Sequence, residues 1–156
     1  MAEVSFEQAM QNIIKQAEDV STNLSVKDKQ KITKAGADVF KKELEREYTD
    51  NHYRDRKTGE NPHLADSIIS QNTNVDGKRT GDSTVGWTKD KAYIANFIEN
   101  GSRFPMYSSK GHKFKHGGQT AINGDKAVER LRNDSRVIEK MREAEAKAYQ
   151  KIVREK

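Results

Sequence analysis

Cysteine is absent from the 156-residue chain, which removes disulfides, thiolate nucleophiles and thiolate metal ligands at once. No apolar run approaches the roughly 20 residues that a bilayer-spanning helix needs. The start, Met1-Ala-Glu-Val-Ser-Phe-Glu7, has neither the basic region nor the apolar stretch of a secretory signal. The chain is therefore expected to act inside the cell that makes it, or to be built there into something larger. Aromatic residues are scarce at 7%, and hydrophobic residues reach 33% against 34% charged. A core drawn from that stock is thin and its helices are largely wet, which suits a subunit that takes part of its stability from neighbours. Phosphate-loop, dinucleotide and metallohydrolase signatures are missing as well.

Charge of one sign is only slightly in excess. Lys and Arg number 29 and Asp and Glu 24, a formal net charge of +5. The charges are interspersed, so solubility accounts for the excess as well as nucleic-acid binding does. The length suits a single domain, spanning 1–156, with long terminal helices rather than a second core.

The chain is organised around Lys91-Ala-Tyr-Ile-Ala-Asn-Phe-Ile-Glu-Asn-Gly-Ser-Arg103. Tyr93, Ile94, Phe97 and Ile98 fall at helical spacing and predict a short helix with one apolar face. Gly101 follows as a residue able to close it in a left-handed conformation. Upstream, Val85 and Trp87 alternate as in a half-buried strand. Trp87, Tyr93, Phe97 and Ile98 are read as structural core, and Gly59 and Gly101 as turn glycines.

Towards the amino terminus, Ser5 and Gln8 form a capping-box pattern, and Phe6, Met10, Ile13 and Ala17 follow helical spacing. Ser21-Thr-Asn23 breaks the pattern. Ser25 can cap a second helix, with Asp28 near its positive end. An apolar face through Ile32, Ala35, Val39, Phe40, Leu44 and Tyr48 completes a helical region over 5–48. Gly36 weakens that helix by about 1 kcal/mol relative to alanine unless close packing needs it. Tyr48 to Pro62 reads as a polar connector, with His52 solvated rather than part of an acid–base site. A central region, 64–103, holds the sheet and short helix: Ile68 and Ser70 begin a strand that pairs with Ser83–Trp87 through a turn at Asp76-Gly77. Asn72, Asn74, Asp76 and Asp82 lack the ligand spacing and terminal glutamate of a calcium loop.

From Arg103 to Gly118 no acidic residue occurs, while Arg103, Lys110, Lys113 and Lys115 alternate with Tyr107 and Phe114. This predicts a flexible basic arm over 104–124, facing an acidic protein surface or, as the less favoured alternative, DNA or RNA. His112 and His116 sit four apart with no third ligand in place, so no metal site is expected. Glu99 is open between an arginine of a neighbouring subunit and plain solvent. A final helix over 125–156 carries Val128, Leu131, Ile138, Met141, Ala148 and Ile152 near one face; Ser135 interrupts the stripe.

Taken in order, Thr58-Gly59, Leu64, Ser67-Ile68, Tyr93, Ala95, Glu99, Gly101 and Ser102 resemble the small tail-component, or tail-completion, family of long-tailed double-stranded DNA bacteriophages. Its members are also described as minor tail or head–tail joining proteins. The resemblance covers roughly residues 25–150. Departures are the isoleucine between Tyr93 and Ala95, Asn100 in place of an aromatic, and a lysine- and glycine-rich Gly111–Gly118 in place of an apolar, proline-containing segment. The resemblance implies an α+β fold, a few-stranded antiparallel sheet packed by long amphipathic N- and C-terminal helices. It further implies a non-enzymatic structural subunit of the tail or head–tail junction, without cofactor, metal or catalytic residues. Its partners would be tail-terminator, tail-tube or connector proteins and other copies of itself, in a homo-oligomer or ring. It would sit in the virion after assembly in the host cytoplasm, with no membrane involved. The interface residues expected from this reading are Arg103, Tyr107, Lys110, Lys113, Phe114, Lys115 and Glu99.

Overall fold

The computed structural model describes residues 24–53, 62–102 and 122–155, with the single positions 11 and 112. The helix expected from Ser5, the turn at Gly59, and Arg103, Tyr107, Lys110, Lys113, Phe114 and Lys115 of the basic arm lie outside the described residues.

Helix α1 (Val26–His52) starts where Ser25 caps it. The Ser25 hydroxyl accepts from the Asp28 N–H at 3.1 Å, and Asp28 accepts from the Ser25 N–H at 3.3 Å. Both halves of a capping box are thus made, satisfying two N–H groups that the helix itself cannot pair. One stripe, Gly36, Ala37, Phe40, Leu44 and Tyr48, is buried. The helix outruns the expected end at Tyr48, and His52 lies in its last turn rather than in a solvated connector. The extension has local support: Thr49 donates to the Glu45 carbonyl, Asn51 to Glu47, and Arg46 pairs with Asp50, all at the i,i+4 spacing that brings side chains together on a helix.

A 3₁₀ turn at Ala65–Ser67 leads into β1 (Ile68–Gln71). The buried Ser67 hydroxyl donates to the carbonyls of His63 and Leu64, while Leu64, Ala65 and Ile68 enter the core. β1 pairs antiparallel with β2 (Thr84–Trp87), Ile68 opposite Trp87 and Gln71 opposite Thr84. The intervening loop is tied to α1 by Gln30, which donates to the Asn72 carbonyl, and by Thr33, which donates to the Gly81 carbonyl, both at 2.8 Å.

Helix α2 (Ala92–Asn100) runs into β3 (Gly101–Ser102), which pairs antiparallel with β4 (Ile122–Asn123). Gly101 has φ 78° and ψ 170°. This is not the left-handed helical cap expected but an extended positive-φ conformation that is essentially restricted to glycine. The carboxy-terminal helix is broken in two, α3 (Ala127–Asn133) and α4 (Ser135–Glu155). Asp134 is extended, and its carboxylate accepts from the Arg136 N–H at 2.9 Å, so it starts α4 as a cap. α4 packs antiparallel along α1: Lys140 pairs with Glu43 at 2.6 Å, and Glu145 lies over Gly36.

The core gathers Phe40, Leu44 and Tyr48 of α1 with Leu64, Ala65, Ile68, Ala95, Ala127 and Val137. Val85, Trp87, Ile94, Ile98, Val128, Leu131 and Met141 pack against it, partly buried. The fold is α+β, small antiparallel sheets packed by long helices.

Candidate functional site

The end of α2 and the start of α3 are joined by a compact set of bonds. Helix α2 leaves its last carbonyls without intrahelical donors, as every helix does. Here the Asp125 N–H bonds to the Ile98 carbonyl at 2.8 Å and the Lys126 N–H to the Glu99 carbonyl at 3.2 Å. Helix α3 has the opposite need at its first turn. Its N-cap residue, Lys126, has φ 53° and no capping side chain. Glu99 supplies the cap from another helix: its Oε2 accepts from the Val128 N–H at 3.1 Å. A carboxylate at this position also complements the positive end of the helix dipole.

The other Glu99 oxygen, Oε1, accepts from the Tyr48 hydroxyl at 2.6 Å. Tyr48 is fully buried and Glu99 nearly so. Burial and then the hydrogen bond to Glu99 push the Tyr48 phenol above its ordinary range. Trp87 closes the far side, its ring edge-on to Tyr48 with centroids 5.1 Å apart. Gly124 permits the close approach: a Cβ there would lie 2.6 Å from the Glu99 carbonyl oxygen and 2.7 Å from the Asn100 carbonyl carbon.

A more exposed network borders this junction. His52 Nε2 lies 2.8 Å from Asp125 Oδ2. The Arg130 guanidinium bridges Asp125 at 2.7 Å and Glu47 at 2.6 Å, and also donates to the Asp125 carbonyl. The Arg130 and His52 hydrogen bonds hold the Asp125 carboxyl below the usual aspartate range. Asp125 and Glu47 in turn raise Arg130. His52, expected to be solvated, has a fixed partner 73 residues away in sequence.

Two of the expected roles are corrected. Glu99, left open between solvent and a neighbouring subunit, is 9% exposed and its two carboxylate oxygens are engaged within its own chain, by Tyr48 and Val128. Tyr93 and Phe97, expected in the core, are 56% and 48% exposed. Helix α2 turns Ala95 and Glu99 inward, with Ile94 and Ile98 partly buried beside them. Tyr93 and Phe97 continue the apolar stripe on the outer side, where their rings stack edge to face with centroids 6.4 Å apart. Trp87 and Ile98 pack against the core, partly buried. A tyrosine hydroxyl on a buried stripe needs a partner, and a carboxylate next to Ile98 was available to supply it; that pairing was the overlooked signal.

An open cleft of ≈ 650 Å³ separates α2 from α3, lined by Trp87, Asn96, Glu99, Lys126, Glu129 and Arg132 among others. Among the described residues, no group of three or more His, Asp or Glu side chains is placed to hold a metal ion, and no helix is long and apolar enough to cross a membrane. What this site does physically is fix three helices to one another.

Residues 11–101 match the family model described as "Bacteriophage HK97-gp10, putative tail-component". The match ends on the Gly101 that closes α2, so it contains α1, the β1–β2 pair and α2, including Tyr48 and Glu99. No curated protein and no solved structure matches the chain.

Proposed function

The chain belongs to the HK97-gp10-like family of bacteriophage tail components, and from that premise we propose that it completes the tail at the end that joins the head. In this reading it works without chemistry, through self-association and contact with tail-terminator, tail-tube or connector proteins. The observation that carries it is the family match over more than half of the chain. The junction at Glu99 supports it: a rigid hydrogen-bonded frame lets one face of α2 be presented to a partner without internal rearrangement. The basic stretch from Arg103 to Lys115, with Tyr107 and Phe114, is the second proposed contact, directed at an acidic protein surface. The finished protein resides in the tail or neck of the particle.

Light scattering of the purified chain, alone and mixed with tail proteins encoded by neighbouring genes, tests this reading. A defined complex of larger mass with those proteins supports it. A chain that ignores them but shifts with DNA, increasingly so as salt is lowered, would favour phosphate contacts by the basic stretch and overturn it.

A further inference from the structure

The β1–β2 sheet has only two strands, so each strand keeps a free edge. The Thr88 N–H donates to the Ser67 carbonyl at 3.0 Å. By the alternation of an antiparallel ladder, Ile69–Gly86 and Gln71–Thr84 are then hydrogen-bonded pairs too, while Ile68–Trp87 and Ser70–Val85 are not. The N–H and C=O groups of Val85 and Trp87 therefore point off the outer edge of β2. Among the described residues, none of these groups has a hydrogen-bond partner. An unpaired row of this kind is a template for a further strand. The matching groups of β1 belong to Ile68, which is buried, and to Ser70, whose hydroxyl is tied to Asp38 of α1 at 2.7 Å. β2 is thus the more accessible edge.

That edge opens onto a trough. The cleft between α2 and α3 reaches it at Trp87, and a groove of ≈ 480 Å³ between α1, β2 and α4 reaches it at Val85. Val128 and Arg132 line both hollows. They stand one turn apart on α3, so cleft and groove are the two ends of one trough beside β2. Val85, Val128 and Met141 give it apolar surface, and Asp82 and Glu145 make the groove end acidic. Arg132 stands where the two ends meet, exposed and without an acidic partner among the described residues. On the outer face of the sheet, a Cβ at Gly86 would meet nothing within 4 Å, so the flank of an added strand is open.

Building on the tail-component reading, we propose that an extended segment of a different tail protein adds to β2 as a third strand of the sheet. The free groups of Val85 and Trp87 recur at about 6.8 Å, the two-residue repeat of an antiparallel strand. They match the backbone of an extended chain whatever its sequence. Side chains narrow the choice. Alternate residues of the segment face Val85, Val128 and Met141 and are apolar. One residue brings a carboxylate to Arg132, towards the Trp87 end, because Asp82 and Glu145 repel it from the other. The chain's own stretch from Arg103 to Gly118 has no acidic residue to offer. Phe6, Met10, Ile13 and Ala17 keep helical rather than alternating spacing, so the strand comes from another protein.

Amide hydrogen exchange of the full chain, read residue by residue, tests this, alone and with each tail protein encoded by neighbouring genes. In the isolated chain Val85 and Trp87 should exchange faster than Thr84 and Gly86, whose N–H groups face β1. With the partner bound, Val85 and Trp87 should slow by roughly tenfold or more, which removes the alternation along β2. A tail protein that forms a complex by light scattering yet leaves both amides unchanged overturns the proposal and leaves the tail reading intact. No complex with any of those proteins removes the tail reading and the proposal with it. Slow exchange of both amides already in the isolated chain also overturns it. Residues 1–23 then fill the edge if the protection survives dilution, and a second copy does if it is lost. Two variants extend the test. Val85→Pro removes an outward N–H but no bond to β1, and Arg132→Glu reverses an exposed, unpaired charge. Each should weaken the complex by roughly tenfold or more, with the circular dichroism spectrum of the chain unchanged. Where Val85→Pro fails to fold, Arg132→Glu decides, and wild-type affinity there contradicts the acidic segment.

Discussion

Replacing Glu99 by alanine should unfold this protein more readily than any change to its surface. The carboxylate accepts from the Tyr48 hydroxyl at 2.6 Å and the Val128 N–H at 3.1 Å. Alanine leaves both donors without a partner, and each buried unsatisfied donor costs about 1–3 kcal/mol. Tyr48 is fully buried and takes the upper part of that range; Val128 is half-buried and takes the lower. Their sum is about 3–5 kcal/mol, a large share of the 5–15 kcal/mol typical of a folded domain. Glutamine keeps one acceptor oxygen, so Glu99→Gln should cost only about 1–2 kcal/mol, and Tyr48→Phe about 1.5–3 kcal/mol. The assay is urea unfolding followed by the fluorescence of Trp87, the sole tryptophan, whose ring meets Tyr48. With a slope of about 2 kcal/mol per molar urea, Glu99→Ala should lower the midpoint by roughly 2 M. The double variant Tyr48→Phe/Glu99→Gln should be less destabilised than the sum of the two singles. A Glu99→Ala protein within about 0.5 kcal/mol of wild type would refute the assignment of the junction.

The two helix-packed glycines should respond in opposite ways to alanine. Gly124→Ala meets backbone atoms at 2.6 and 2.7 Å and should lose about 1–3 kcal/mol in thermal or urea unfolding. Gly36→Ala meets only side-chain atoms of Glu145 and no backbone; where that side chain swings aside, the variant should gain up to about 1 kcal/mol from helix propensity. In the isolated chain, Leu44→Ala should cost about 2–5 kcal/mol, whereas Phe97→Ala should stay within about 0.5 kcal/mol because its ring is half-exposed. For acid unfolding the sign follows from Asp125, whose folded pKa lies below the ordinary 3.8. A depressed carboxylate pKa contributes stability that is complete above the unfolded value and is lost as pH falls through the folded one. Stability should therefore drop below about pH 4, and Asp125→Asn should flatten that part of the profile measured by circular dichroism.

The sequence made α1 legible because its apolar stripe keeps helical spacing from Ile32 to Tyr48 and Ser25 announces its start. The β1–β2 pair was legible for a related reason: alternation at Val85 and Trp87, with Asp76-Gly77 marking the turn between the strands. The site was not. Apolar spacing placed Tyr93 and Phe97 inside, since a pattern of hydrophobic residues cannot register that a carboxylate is worth burying when a tyrosine 51 residues away donates to it. The same reasoning missed the tie between His52 and Asp125, which exists only because α1 and the approach to α3 lie side by side. The break at Asp134 had a local signal in Asn133-Asp-Ser135, three residues that favour helix caps, but the apolar stripe of the long helix masked it.

The central claim, a tail component that the particle needs in order to be finished, is tested most directly by disrupting the gene in its phage and viewing the lysate by electron microscopy. Filled heads and unfinished or unjoined tails are expected, with infectivity restored when the wild-type chain is supplied from a plasmid. Normal, infectious particles lacking the protein would contradict it.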